Sequence, residues 1–168
     1  REHPLCTATF DTGRQQLLVF GGGRSGYTGT DVAMYSTRAG TWRIGAAPEM
    51  PVEFIGSPGH NTQPRSFAGR PFISSHVFKL YAYDPRAGRM LLYNRGATHV
   101  FDPAAGDWER ATVETPFGGG DWVPKFCTTP EGVAVWAPPT SGRGVGALWR
   151  FDAGARAWKR LATTGEPV

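Results

Sequence analysis

Cysteine, lysine and uninterrupted apolar stretches are scarce in this chain, and each shortage removes a class of protein. Its two cysteines, Cys6 and Cys127, are too few for a disulfide framework and have no metal-ligand spacing. A free cysteine is more often a small buried hydrophobe. No run approaches the roughly 18 consecutive apolar residues that a membrane helix needs, so no membrane partner is expected. A charged start followed by an apolar run, the mark of a signal peptide, is also absent. The chain opens on Arg1 instead of Met, and its compartment stays unassigned. Of the 18 basic residues only Lys79, Lys125 and Lys159 are lysines, and the net charge of +4 is spread without a basic run. Nucleic acid is therefore not an expected partner. Segments with helical periodicity are missing as well.

What the chain does have is turns and aromatics. Its 168 residues include 23 Gly and 14 Pro, yet 40% are hydrophobic and 12% aromatic, which a disordered chain would lack. Many turns with many aromatics predict an all-β domain of short strands.

A repeat organises those strands. Tyr35, Phe101 and Phe151 are each followed by a turn and then, seven positions on, by Trp42, Trp108 and Trp158. An earlier pattern precedes each one. Phe10-Asp11-Thr12-Gly13 leads to Leu17-Leu18-Val19-Phe20 and Gly21-Gly22-Gly23, and Tyr83-Asp84-Pro85-Arg86 leads to Met90-Leu91-Leu92-Tyr93. Phe20 and Tyr93 both fall nine positions after the aspartate, so the register is shared. The third unit shortens this pattern to Thr129-Pro130-Glu131-Gly132 before Val133-Ala134-Val135-Trp136. Asp-Pro at 84–85 and 102–103 suits the opening of a type I turn. Each unit thus reads as four strands, with Val77 to Tyr83, Leu91 to Tyr93, Val133 to Trp136 and Ala147 to Phe151 the clearest.

An apolar strand ending in paired glycines, then an aromatic, then Trp at fixed offset, resembles the kelch repeat, in which each repeat forms one four-stranded blade of a β-propeller. The first unit matches best, through Gly21, Gly22, Tyr35 and Trp42. The second carries Asn94-Arg95-Gly96 where the glycine pair belongs, and the third Ala137-Pro138-Pro139. The resemblance implies a partial propeller of three four-stranded antiparallel blades: about 4–46, 76–113 and 122–162, with a long inter-blade loop over about 46–75. Trp42, Trp108 and Trp158 are then expected in the core between blades. Propellers close with four to eight blades. The remaining blades are therefore expected from further sequence or from self-association.

In such a fold, with the four strands of each unit lettered A to D in chain order, the B–C and D–A connections share one face, here 21–30, 46–76, 94–98, 111–124 and 137–146. The proline-rich segment from Gly45 to His76 is the chief functional candidate, because long irregular loops in compact domains are usually functional or disordered. By position and chemistry the candidate contacts are Arg24, Tyr27, His60, Asn61, Arg65, Arg95 and Trp122, Arg and aromatic residues being enriched at binding hot spots. Gly21-Gly-Gly-Arg-Ser-Gly and Gly118-Gly-Gly-Asp121 lack the Lys-Ser/Thr end of a phosphate loop. His3, His60, His76 and His99 have no ligand spacing, and no G-x-S-x-G nucleophile motif occurs. The expectation is a non-catalytic binding module for a protein, peptide or glycan, without metal or cofactor. The alternative is a fragment of an enzyme resembling galactose oxidase, whose copper centre uses Tyr, His and a modified Cys. Its residues have no matching motifs here. Cys6 and Cys127 fall on expected A strands, where buried packing is the plainer role.

Overall fold

The computed structural model describes residues 8–22, 27–48, 69–71, 80–94, 96–117, 124–138 and 146–162. Among them the protein is all-β, built as three antiparallel sheets and no helix. Sheet 1 runs in order β1 (Ala8–Asp11), β2 (Gln16–Gly22), β3 (Tyr27–Ser36) and β4 (Thr41–Gly45). Sheet 2 contains β5 (Tyr81–Asp84), β6 (Arg89–Asn94), β7 (Ala97–Asp102), β8 (Asp107–Trp108) and β9 (Val113–Glu114). Sheet 3 is the meander β10 (Lys125–Thr129), β11 (Gly132–Ala137), β12 (Ala147–Asp152) and β13 (Ala157–Arg160). The start of the strand expected from Val77 lies outside the described residues, and the strand is seen from Tyr81.

Both sequence patterns land on hairpins in equivalent register. The aromatic and the tryptophan of each repeat sit directly opposite one another: Tyr35 on Trp42, Phe101 on Trp108, Phe151 on Trp158. At the first hairpin Asp11 faces Gln16 and Asp84 faces Arg89, while the shortened third unit puts Thr129 opposite Gly132. Aspartate closes these turns because its carboxylate accepts turn amides. Asp11 takes Arg14 N–H at 2.9 Å, Asp84 takes Arg86 and Ala87 at 2.8 and 3.0 Å, and Asp152 takes Ala155 at 2.9 Å.

Two details depart from four plain strands. The outer strand of sheet 2 is split. β8 pairs Trp108 with Phe101, and continued register would bring Ala111 opposite Thr98, but Val113 is there instead. Residues between Glu109 and Thr112 loop out, and Val113 returns to the same face, buried. In sheet 1, Gly21 (φ 72°) does not end β2; the β2–β3 register shifts there, so that the one residue between Phe20 and Gly22 faces the four between Tyr27 and Val32. Glycine takes that left-handed backbone more readily than any residue with a Cβ.

The alternation of side chains gives each sheet two faces. One, the tryptophan face, holds Trp42 and Tyr35 in sheet 1 and their equivalents elsewhere. The other, the receiving face, holds Leu18, Phe20, Val32 and Met34 in sheet 1. The sheets stack with the tryptophan face of each on the receiving face of the one before. Trp108 meets Phe20 edge-on with ring centroids 5.1 Å apart and donates its indole N–H to Thr30 O at 2.8 Å. Trp158 repeats this on sheet 2, donating to Thr98 Oγ1 at 3.0 Å beside Phe126, which packs toward Tyr93. Sheet 2 is consequently buried on both faces, as the unbroken burial of Tyr81–Asp84 and Met90–Asn94 records. The first strands of the sheets lie together, Tyr83 N–H on Thr9 Oγ1 at 2.9 Å and Thr128 Oγ1 on Tyr83 O at 2.7 Å.

Trp42 corrects the expectation that all three repeat tryptophans are core. Trp108 and Trp158 are 6% and 7% exposed, but Trp42 is 61% exposed. Its register is the same as theirs. It differs because, among the described residues, no sheet precedes sheet 1 to receive it.

Candidate functional site

The two edges of the stack differ. On one edge the hairpin connections span 12–15, 37–40, 85–88, 103–106, 130–131 and 153–156, all tight turns. The connections on the other edge occupy 23–26, 46–80, 95–96, 115–124 and 138–146. The strand path puts the A–B and C–D turns together and the B–C and D–A connections opposite, as the sequence predicts.

Of the expected contacts, Arg24, His60, Asn61, Arg65, Arg95 and Trp122 lie outside the described residues. Tyr27 was expected in a loop but opens β3, paired with Gly22 beyond the register shift at Gly21. The flanks of another expected loop are likewise strand, with Asn94 opposite Ala97. Within the proline-rich segment Arg70 is described, and its guanidinium serves the scaffold. Nε and Nη2 reach both Asp107 oxygens at 2.9 Å, and Nη1 reaches Ala47 O at 3.1 Å. That fork outweighs burial, which pushes the carboxyl up, and with the Trp108 amide and nearby arginine charge holds Asp107 below the usual range.

The tight-turn edge carries polar clefts that the sequence did not single out. One, of about 250 Å³, is lined by Asp84, Arg86, Glu131, Arg150, Asp152 and Lys159. Three of these six charges have partners in the scaffold: Asp84 with turn amides, and Asp152 with Ala155 N–H and with Lys159 Nζ at 2.6 Å. The Lys159 bond, then the turn amides, bring the Asp152 carboxyl down to about 2. Beside it, Glu109 bridges sheets 2 and 3, accepting from Arg89 at 3.2 Å and from Arg156 at 2.6 Å. Between sheets 1 and 2, Asp11 is fully buried and takes Gln16 Nε2 at 3.0 Å and Arg14 Nη1 at 3.2 Å, with the Tyr83 hydroxyl as a further donor. These groups close turns and join sheets. The contacts that join sheets, Glu109 with Arg156 and Asp11 with Tyr83, each span two repeats, which hid them in the sequence.

The copper alternative draws on cysteine and histidine. Cys127 does sit on the first strand of its sheet, but it is exposed instead of packed, with Sγ 3.6 Å from Ala134 O. It lies on the receiving face of sheet 3, which among the described residues nothing covers. His99 is buried in sheet 2, edge-on to Trp108. No group of three or more His, Cys, Asp or Glu able to hold a metal occurs among the described residues. No protein-family model matches the chain, and no curated protein matches it either.

Proposed function

We propose that the three sheets are propeller blades of the kelch type and that the chain is a non-catalytic binding module. It meets a protein, peptide or glycan on the edge carrying the longer connections. The observation that carries this reading is the asymmetry of the two edges. Turns on one side are short and held by aspartate, hydroxyl and ion-pair contacts, which leaves the other side to vary in length and chemistry. Binding residues concentrate on loops that a rigid scaffold positions. The contacts proposed are Arg24, Tyr27, His60, Asn61, Arg65, Arg95 and Trp122.

The test is a screen of the protein against glycan and peptide arrays, followed by a variant with all seven positions changed to alanine. A ligand found in the screen should bind the variant at least tenfold more weakly, which is about 1.4 kcal/mol, with thermal stability unchanged. Equal binding by both proteins would move the site off this edge.

A further inference from the structure

Among the described residues the stack ends in two unlike faces. Sheet 1 leaves its tryptophan face open, with Trp42 61% and Ile44 65% exposed. Sheet 3 leaves its receiving face open, with Trp136 45% and Leu148 37% exposed. Inside the chain, faces of these two kinds meet twice. We propose that they also meet between chains: sheet 1 of one copy docks on sheet 3 of a second, head to tail, and two copies close a ring of six sheets.

Register says which residues would face each other. Phe20 in sheet 1 receives Trp108. Strand pairing makes Trp136 the sheet 3 equivalent of Phe20, so Trp136 receives Trp42. The indole N–H of Trp108 goes to Thr30 O, and the equivalent carbonyl in sheet 3 is that of Gly146.

A second correspondence points to a copy of this chain as the occupant. At the internal junctions the next position is apolar on both sides. Met34 and Phe101 close together on Gly45, and Val100 and Phe151 line one cleft. At the two open faces both members change: Arg150 replaces Met34 or Val100, and Tyr35 replaces the phenylalanine. An arginine against a tyrosine ring is a favourable cation–π pair, whereas arginine against the internal phenylalanine positions would have displaced the apolar Met34 and Val100. The odd residues on the two faces thus suit each other.

The interface is heterologous, so it closes only if the rotation per sheet fits a whole number of copies. The three described sheets from each of two copies make six, within the four-to-eight range of propellers. That count rests on the propeller reading, while the pairing of faces does not.

Sedimentation and light scattering of the 168-residue chain should give twice its 18.2 kDa mass, up to about 100 µM, well above a micromolar Kd. Trp42→Glu and Leu148→Glu change exposed side chains and should each give a monomer with unaltered far-UV circular dichroism. Mixed, they should recover a two-chain species, because each retains the face the other lacks. In a Cys6→Ser background Cys127 should react with a thiol reagent at least tenfold more slowly in the assembled protein than in Trp42→Glu. A wild-type monomer at the highest concentration, or mixing without recovery, overturns the interface. So does equal Cys127 reactivity, a readout that survives if Leu148→Glu fails to fold. Recovery on mixing with a wild-type mass other than two copies overturns the ring and the propeller count while keeping the pairing of faces.

Discussion

Trp108→Ala and Trp42→Ala remove the same atoms from the same register position, yet their costs should differ several-fold. The Trp108 ring has Phe20, Phe101 and His99 around it at 5.1, 5.2 and 6.4 Å, and its N–H satisfies Thr30 O at 2.8 Å. Truncating a buried aromatic of this kind costs about 3–5 kcal/mol. The buried carbonyl left without its donor adds about 1 kcal/mol or more. A domain has only about 5–15 kcal/mol of stability in all, so the variant should be close to unfolding. Trp42 is 61% exposed with Tyr35 at 5.0 Å beside it. Its loss should cost below about 1 kcal/mol. Urea denaturation reads the difference as a shift in midpoint at constant slope. The protein should be dilute, about 0.5 µM, so that association adds nothing by mass action. Equal losses would refute the account of the stack, since they would mean that the interior position of Trp108 adds nothing.

Two further outcomes follow from named contacts. Burial pushes the Asp11 carboxyl up, but hydrogen bonds from the Tyr83 hydroxyl, the Arg14 amide and the Gln16 and Arg14 side chains outweigh it and hold the group below its ordinary 3.8. The unfolded chain therefore takes up the proton first. The stabilisation is complete above about pH 4 and is lost as pH falls through the lower folded value, so the urea midpoint should drop on acidification and drop less steeply in Asp11→Asn. The same contact raises the Tyr83 phenol above its ordinary 10.0, through burial first and then the Asp11 hydrogen bond and charge. Near-UV absorbance should accordingly show one tyrosine that ionises late in the wild type and earlier in Asp11→Asn. Gly132 has φ 120°, and a Cβ there would lie 3.0 Å from the buried Asp84 Oδ2. Gly132→Ala should cost about 1–3 kcal/mol, and more than Gly96→Ala, where φ is 82° but nothing lies within 4 Å; a smaller loss at 132 would contradict the close packing against Asp84.

Strand identity and hairpin register were legible in the residues themselves, because the signals are local. Aromatic and tryptophan seven positions apart span one tight turn, and aspartate nine positions before Phe20 or Tyr93 spans another. A repeat in sequence therefore becomes a repeat of hairpins without reference to anything distant. The split of β8 from β9 was not legible, since the extra residues at 110–111 are signalled only by which residue returns opposite Thr98. Nor were the ion pairs between sheets, such as Arg156 with Glu109, because their partners lie in different repeats.

The sequence by itself determined that the chain is all-β and where its repeated hairpins fall. Short-range turn chemistry and alternating apolar residues are enough for that. Burial was decided only by tertiary structure. Trp42, Trp108 and Trp158 are one residue in sequence terms, but whether each is core depends on which sheet lies across from it. That is a property of neighbours and not of the repeat, and it separates an open face able to receive a partner from a finished interior.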